Sequence, residues 1–291
     1  MTGSLFQTAT ANFSETFSRA PIRARHSLHE IPLFDDEALA RLIESHPREL
    51  TDIHAPRGES RDAKDFPVID VEQTSGAALL NEVRNGRIWI NLRRAMNETP
   101  EYKAVLDTIV AELKVASTNF QPRQVSAGIL ISSPTASVPY HCDKTDVLLW
   151  HVRGRKRLFL YPPEAPYLDP VEYEDRIVDL TNDDLPYDSR FENGVQTFDM
   201  EPGDMVSWPL HSPHRVENLE GLNVSVTMEY SSWRSAIING AYAANGVLRR
   251  RFGLSPLNPQ EAPRALNMAK LLLARAFRAA GMAGKPPLKA A

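Results

Sequence analysis

The stretch YHCDKTDVLLWHVRGRKRLFLYPP, Tyr140–Pro163, decides the reading of this chain, together with the string PHRVEN, Pro213–Asn218. The first opens on His141 and Asp143 and runs into the apolar segment Asp146–Val152. A turn signal, Arg153-Gly154-Arg155, separates that segment from a second one, Lys156–Tyr161, and the pair Pro162-Pro163 ends the run. Alternating apolar residues on either side of a Gly predict two strands joined by a hairpin. Residues i and i+2 of a strand share a face, so His141 and Asp143 are expected to project together. His214 alternates with Val216 and Asn218 on the inward side of a later strand and supplies a third ligand. Two imidazoles and one carboxylate on one face, with the other face open, suit Fe(II) that must also bind an oxidant and a cosubstrate.

Working outward, a period of two continues from Gln124, with strands expected at Val125–Ser132, Val195–Met200, Asp204–Trp208, His214–Asn218 and Leu222–Tyr230. With the two above, that makes seven short strands in about 105 residues, the pattern of a sandwich or barrel. Residues 163–194 break the series with Pro, Asp, Glu and Tyr and read as an insertion across one mouth of the barrel. Before the strands the spacing is helical. One helix starts at Asp35–Glu37 with Ala38, Leu39, Leu42 and Ile43 on one face, a second covers Ser75–Arg84, and a third Pro100–Val115. After Trp233 the chain turns helical again, with Leu266–Phe277 amphipathic. The expected organisation is an N-terminal arm (1–30), a helical lead-in (31–123), a catalytic core (124–235) carrying the insertion 163–194, and a basic helical tail (236–291).

The 291 residues include 33 Lys+Arg and 37 Asp+Glu for a net charge of −4, and one Cys. A single Cys excludes a disulfide scaffold and fits a reducing compartment. No run approaches the roughly 18 apolar residues of a membrane span. The opening residues lack a basic region followed by an apolar one, so the expected location is cytoplasmic, without membrane association. The mean charge hides an asymmetry: from Gly240 onward the chain carries +8 and the rest −12. A helical homodimerisation element with a solvated basic face is the first reading of that tail. A clamp onto acidic residues is the second, and a nucleic-acid contact the least favoured, because no aromatic residues interleave with the charges.

The His-x-acid triplet alone is weak, since about one is expected by chance in a chain of this composition. Its context carries more. The segment Asp146–Pro163, with its Val-Arg-Gly-Arg-Lys-Arg turn, then Glu201-Pro-Gly-Asp204 and Pro213–Asn218, resembles the JmjC-type, cupin-fold Fe(II)/2-oxoglutarate oxygenases, and within them the asparaginyl-hydroxylase-like branch. That resemblance implies a mainly β fold with flanking α, a cupin double-stranded β-helix (jelly roll) with a helical N-terminal lead-in and a helical C-terminal tail. It implies His141, Asp143 and His214 as metal ligands and catalytic centre. It places Lys156, thirteen residues after Asp143, on the distal carboxylate of 2-oxoglutarate. Hydroxylation of a protein, peptide or small-molecule substrate is the implied outcome.

The chain departs from that branch at three places, with Val138, Val147 and Glu229 where polar Thr, Asn and Asn are often found. Other readings stay open beside it: a metal cupin acting without 2-oxoglutarate as a dioxygenase or isomerase, and a non-catalytic binding or regulatory module. His211 competes with His214 as third ligand and is expected to support the site or to touch substrate. His151 is expected to be structural or to face the substrate. Cys142 should turn away from the metal as a packed thiol, and Trp150, Trp208 and Trp233 should be core or rim aromatics.

Overall fold

The computed structural model describes residues 4–7, 12–54, 74–86, 88–180 and 184–283. Residues 55–73 of the lead-in, and Lys285 and Lys289 of the basic tail, lie outside them. Strands β1 (Phe6–Gln7), β2 (Ile22–His26), β3 (Thr51–His54), β4 (Trp89–Leu92), β5 (Gln124–Ser132), β6 (Ser137–His141), β7 (Asp146–Leu160), β8 (Gln196–Met200), β9 (Asp204–Ser207) and β10 (His214–Ser231) join in antiparallel order β1-β2-β9-β7-β10-β5-β4-β3. β6 adds to β10 and β8 to β7.

The two long strands explain the architecture. β7 and β10 pair along their whole lengths, from Asp146 opposite Tyr230 to Leu160 opposite His214. The Asp146–Trp150 half of β7 also pairs with β9, and the Lys156–Leu160 half with β8. Likewise β10 runs beside β5 at its C-terminal end and beside β6 at its start. Both strands therefore pass from one sheet to the other through a common bend, and the sheet folds onto itself as a jelly roll.

The bend corrects the expected hairpin at Gly154. Arg153 pairs with Val224 and Arg155 with Glu220, so Gly154 lies inside one strand opposite a bulge rather than at a reversal. Its φ of +78° admits Gly readily, and a Cβ there would sit 2.8 Å from the Leu222 carbonyl oxygen. The same bulge joins the two strands expected at His214–Asn218 and Leu222–Tyr230 into β10.

The bend also sorts side chains. Val147 and Leu149 before it, and Leu158 and Leu160 after it, enclose an inner cluster with Met200, Val206, Trp208 and Val216. The opposite face carries Leu148, Trp150, Val226 and Met228 into the main core. That core is closed by helices α2 (Asp36–Ser45), α3 (Gly76–Arg84) and α5 (Pro100–Ala116) through Leu39, Leu42, Leu80, Val83, Leu106, Ile109 and Leu113. These are the three expected helices, with Asp35 and Ser75 accepting the capping hydrogen bonds of the first two.

Three parts differ from expectation. The described part of residues 1–30 is no loose arm: Phe6, Phe13 and Phe17 are buried, α1 (Phe13–Thr16) lies between β1 and β2 in sequence, and β2 pairs with β9. The segment is poor in aliphatic residues, but its few large aromatic rings bury enough area to dock it. The lead-in also contributes strands β3 and β4, and the short α4 (Ala95–Glu98), whose Asn97 caps the edge of β5. The insertion contains α6 (Pro170–Asp179), with Asp169 as N-cap and Pro in the first turn.

Beyond β10, α7 (Trp233–Phe252) and α8 (Arg264–Ala279) pack on each other and on α6. The basic tail uses its charge here. Arg249 bonds Glu174 and Asp175, and Arg250 bonds Asp179, so part of it clamps the acidic helix of the insertion. Among the described residues no helix is long and apolar enough to cross a membrane.

Candidate metal and cosubstrate site

β6 ends at His141 directly opposite His214, the first residue of β10. Asp143 lies just past the strand end, so its approach to the imidazoles comes from the turn into β7 rather than from strand alternation. Nε2 of His214 is 3.4 Å from Oδ2 of Asp143, and Nε2 of His141 is 3.9 Å from Oδ1. One ligand atom from each of the three residues lies within 4.8 Å of the others, and the two rings stand 4.1 Å apart. Atoms held about 2 Å from a shared ion are separated by roughly 3–4 Å, so this donor set fits a first-row divalent metal.

Both imidazoles are prepared for that role. Nδ1 of His141 bonds the carbonyl of Pro139 at 2.8 Å, and Nδ1 of His214 bonds that of Ser212 at 3.1 Å. Donation at Nδ1 leaves both Nε2 lone pairs available. Burial, and then the neighbouring His141, hold the pKa of His214 well below the ordinary histidine value, which keeps the ring neutral. The Trp208 ring packs 4.7 Å from that of His214 and shields it.

Lys156 shares a face of β7 with Leu158 and Leu160 and so points into the inner cluster. It pairs with Asn218, four residues along the ladder from His214, about 13 Å. The residue is 4% exposed, and among the described residues no carboxylate pairs with it. Burial lowers its pKa to about 8. Asn218 donates to Ser132 Oγ and the Ser133 carbonyl, while His151 is fixed between Ser225 Oγ and the Gly154 carbonyl. Burial, then the Lys156 charge, lower His151 to about 3, so it is neutral and structural.

The remaining expectations resolve as follows. His211 is buried against Tyr173 and Tyr242, with Nε2 on Asn239 Oδ1 at 2.7 Å, and lies outside the metal group. Cys142 is buried in the helical cluster with Tyr173, Ile177 and Tyr242 and bonds the His211 carbonyl, turned away from the ligands. Trp150 is core, Trp208 lines the site and Trp233 is exposed. Val147 packs in the inner cluster and Val138 against it, whereas Glu229 is exposed and accepts from Thr145 Oγ1. Sequence reasoning missed Asn239, which ties His211 and the Lys144 carbonyl to α7. No local pattern marks it, since its partners are about 30 and 95 residues away.

Comparison with known proteins places this geometry. HSPB1-associated protein 1 of Rattus norvegicus is 34% identical over 112 residues, covering 35% of this chain and 22% of its own length. Ribosomal oxygenase 2 of the same species is 31% identical over 100 residues, covering 34% and 18%. The chain thus spans about a fifth of the length of these curated relatives. Among solved structures, Escherichia coli ycfD aligns over 94% of this chain and 69% of its own at 17% identity and a TM-score of 0.55. The complex of that protein, described as a ribosomal oxygenase, with cobalt and 2-oxoglutarate aligns over 95% and 69% at 17% identity and a TM-score of 0.52. The likeness over nearly the whole chain is one of fold. A family model described as a cupin-like domain matches residues 33–234, which hold every strand from β3 to β10 and all four proposed site residues, and the chain belongs to that family.

Proposed function

We propose that this protein is an Fe(II)/2-oxoglutarate-dependent oxygenase that hydroxylates a side chain of a protein or peptide, or a small molecule. The observation that carries the reading is Lys156, a buried cation that no carboxylate pairs with among the described residues, facing the same interior as a two-His, one-Asp donor set. A buried charge of this kind is costly unless paired, and a dicarboxylate provides the missing partner. The solved relative bound to cobalt and 2-oxoglutarate supports the same assignment.

Bound Fe(II) and 2-oxoglutarate would supply oxidation of an unactivated C–H bond by O₂, coupled to decarboxylation of the cosubstrate to succinate. The chain's own residues do the positioning. His141, Asp143 and His214 hold one face of the ion, with both imidazoles locked by their Nδ1–H bonds. The Lys156 ammonium fixes the distal carboxylate by a charge-assisted hydrogen bond. Val147, Leu149, Leu158 and Trp208 keep the space between them dry.

The reading extends to setting and assembly. The single, buried Cys142 supports a reducing, cytoplasmic location. A homodimer through α8 is supported by Leu266, Met268 and Leu272, exposed on that helix while Asn267, Lys270 and Phe277 face inward. Light scattering of wild type against Leu272→Glu tests the dimer.

The chemical test is succinate release from 2-oxoglutarate with added Fe(II), comparing wild type, His141→Ala and Lys156→Ala. Turnover in the wild type that both substitutions abolish is the expected result. Succinate release unchanged in Lys156→Ala would overturn the cosubstrate assignment, and no turnover together with no retained metal would overturn the enzyme.

A further inference from the structure

A second recess lies on the far side of the β7–β10 pair from the metal set. It encloses about 540 Å³ between the segment joining α1 to β2, the exit of α5, and the starts of α7 and α8. Its charged lining residues are three arginines, Arg19, Arg234 and Arg264, and one acid, Asp146. The acid is answered internally. Its side chain is 4% exposed, accepts from Ser232 Oγ at 3.0 Å and lies 3.9 Å from Arg234. Arg19 and Arg264 stand exposed, and no carboxylate pairs with either among the described residues.

Two helix N-termini meet at this place. Trp233 and Arg234 open α7, Arg264 opens α8, and neither helix has an acidic residue in its first turn. Helices α2, α5 and α6 do, in Asp36, Glu37, Glu101 and Glu172, whereas α3 does not. In α8 the N-cap is Pro263, with no side-chain cap. The α7 terminus is closed by the Ser232–Ser235 capping box, whereas the uncapped N-terminus of α8 opens on a recess already rich in guanidinium groups and favours an anion.

A further polar group at the recess lacks a partner. Asn267 is 2% exposed, and its Nδ2 donates to Pro259 and Ala262, while its Oδ1 is buried with no hydrogen bond. It lines the recess beside Gln260. The apolar surface of the walls comes from the 55% exposed Trp233, over which Arg123 stacks at 4.2 Å, with the buried Phe17 and Ile237 behind it.

We propose that this recess is a second ligand site, separate from the metal centre, that takes a small organic anion, a carboxylate or phosphate ester with a flat apolar body. Arg19 and Arg264 meet the anionic group, and the Trp233 side holds the apolar part. The volume suits a compact molecule, since small-molecule sites run about 300–1,000 Å³. A folded partner needs a broad face instead.

The test uses phenyl phosphate as probe, benzamidine as a cation of similar shape, and inorganic phosphate to separate the anion from the ring. Calorimetric titration of the full chain without added metal should show saturable binding of phenyl phosphate, weaker binding of phosphate alone and none of benzamidine. The double variant Arg19→Gln, Arg264→Gln should weaken phenyl phosphate at least tenfold, whereas Lys156→Ala should leave it unchanged. No saturable binding, equal binding of benzamidine, or binding lost in Lys156→Ala and kept in the double variant would overturn the proposal. The two arginines are exposed and far from the core, so a circular dichroism melt matching wild type validates the comparison.

Discussion

Asp204 and Lys156 are both charged groups shut inside the β-structure, and they differ in what answers the charge. Asp204 accepts from Arg23 and Arg25 on the neighbouring strand and from the Glu201 backbone N–H at 2.8 Å. Burial pushes its pKa up, but the bonds of Arg23, Glu201 and Arg25 outweigh that, and the net shift is down. Lys156 has burial acting on it alone, and its pKa falls to about 8. A charge that serves the fold arrives with its partners in the same sheet. One with no partner among the described residues marks where a ligand would complete the structure.

The contrast fails most visibly if the metal set is not a metal set. His141→Ala should cut 2-oxoglutarate turnover by at least about 10³-fold and remove stoichiometric metal from the purified protein. Elemental analysis beside the succinate assay checks both, and retained metal would move the site elsewhere.

Lys156→Met tests the unanswered charge itself. Methionine keeps the length and apolar bulk of the side chain but brings no cation. The apparent KM for 2-oxoglutarate should rise by about 10²-fold or more, while the melting temperature without cosubstrate should hold or increase, because an unpaired buried charge has been replaced by an apolar group. A drop in melting temperature would mean that Lys156 already has its partner within the protein.

Asp204→Asn is the converse. It leaves two guanidinium groups facing a neutral amide, and the loss of charge-assisted bonds costs about 2–3 kcal/mol, moderated because both arginines are half exposed. Denaturant unfolding should show that loss with turnover per folded molecule unchanged. Equal damage from Lys156→Met and Asp204→Asn would erase the distinction between the two sites.

The sequence made one of these sites legible and not the other. The proposed triad stands out because metal ligation needs particular residue types at a spacing that one strand and one turn supply, and Lys156 because Asp146–Pro163 resembles the JmjC-type oxygenases. Asp204 and its arginines lie about 180 residues apart, and nothing near either end announces the pairing. The same limit explains the structural misses. Gly154 gives one local signal for a hairpin and for a bend, and only the distant strand β10, pairing on both sides of it, decides between them. The strands β3 and β4 are four residues each, too short for alternation to show against charge and Pro. The charge of Arg249 and Arg250 was plain, but their partners on α6 depend on reading the insertion as helix, which the cap Asp169, Pro170 and the spacing of Tyr173 and Ile177 did offer.

The smallest expected effect is also the one that separates the two charges by pH window. Lys156 is protonated below about pH 8 and neutral above it, so kcat/KM for 2-oxoglutarate, which reports the free enzyme, should be level below pH 8 and fall up to tenfold per unit above it. Stability runs the other way at the same residue. Its folded pKa lies below the value of about 10.4 in an unfolded chain, so between pH 8 and 10 the unfolded state binds more protons and stability from this group rises with pH. Asp204 runs in the same direction in a much lower window: its depressed pKa gives stability that is fully present above about pH 4 and is lost as pH falls through the folded value. Melting curves of wild type and Lys156→Met from pH 7 to 10 should therefore converge as pH rises, while their catalytic profiles diverge below pH 8. A wild-type profile that shows no fall between pH 8 and 10 would mean that Lys156 keeps its proton, and hence that a carboxylate of this chain already holds it.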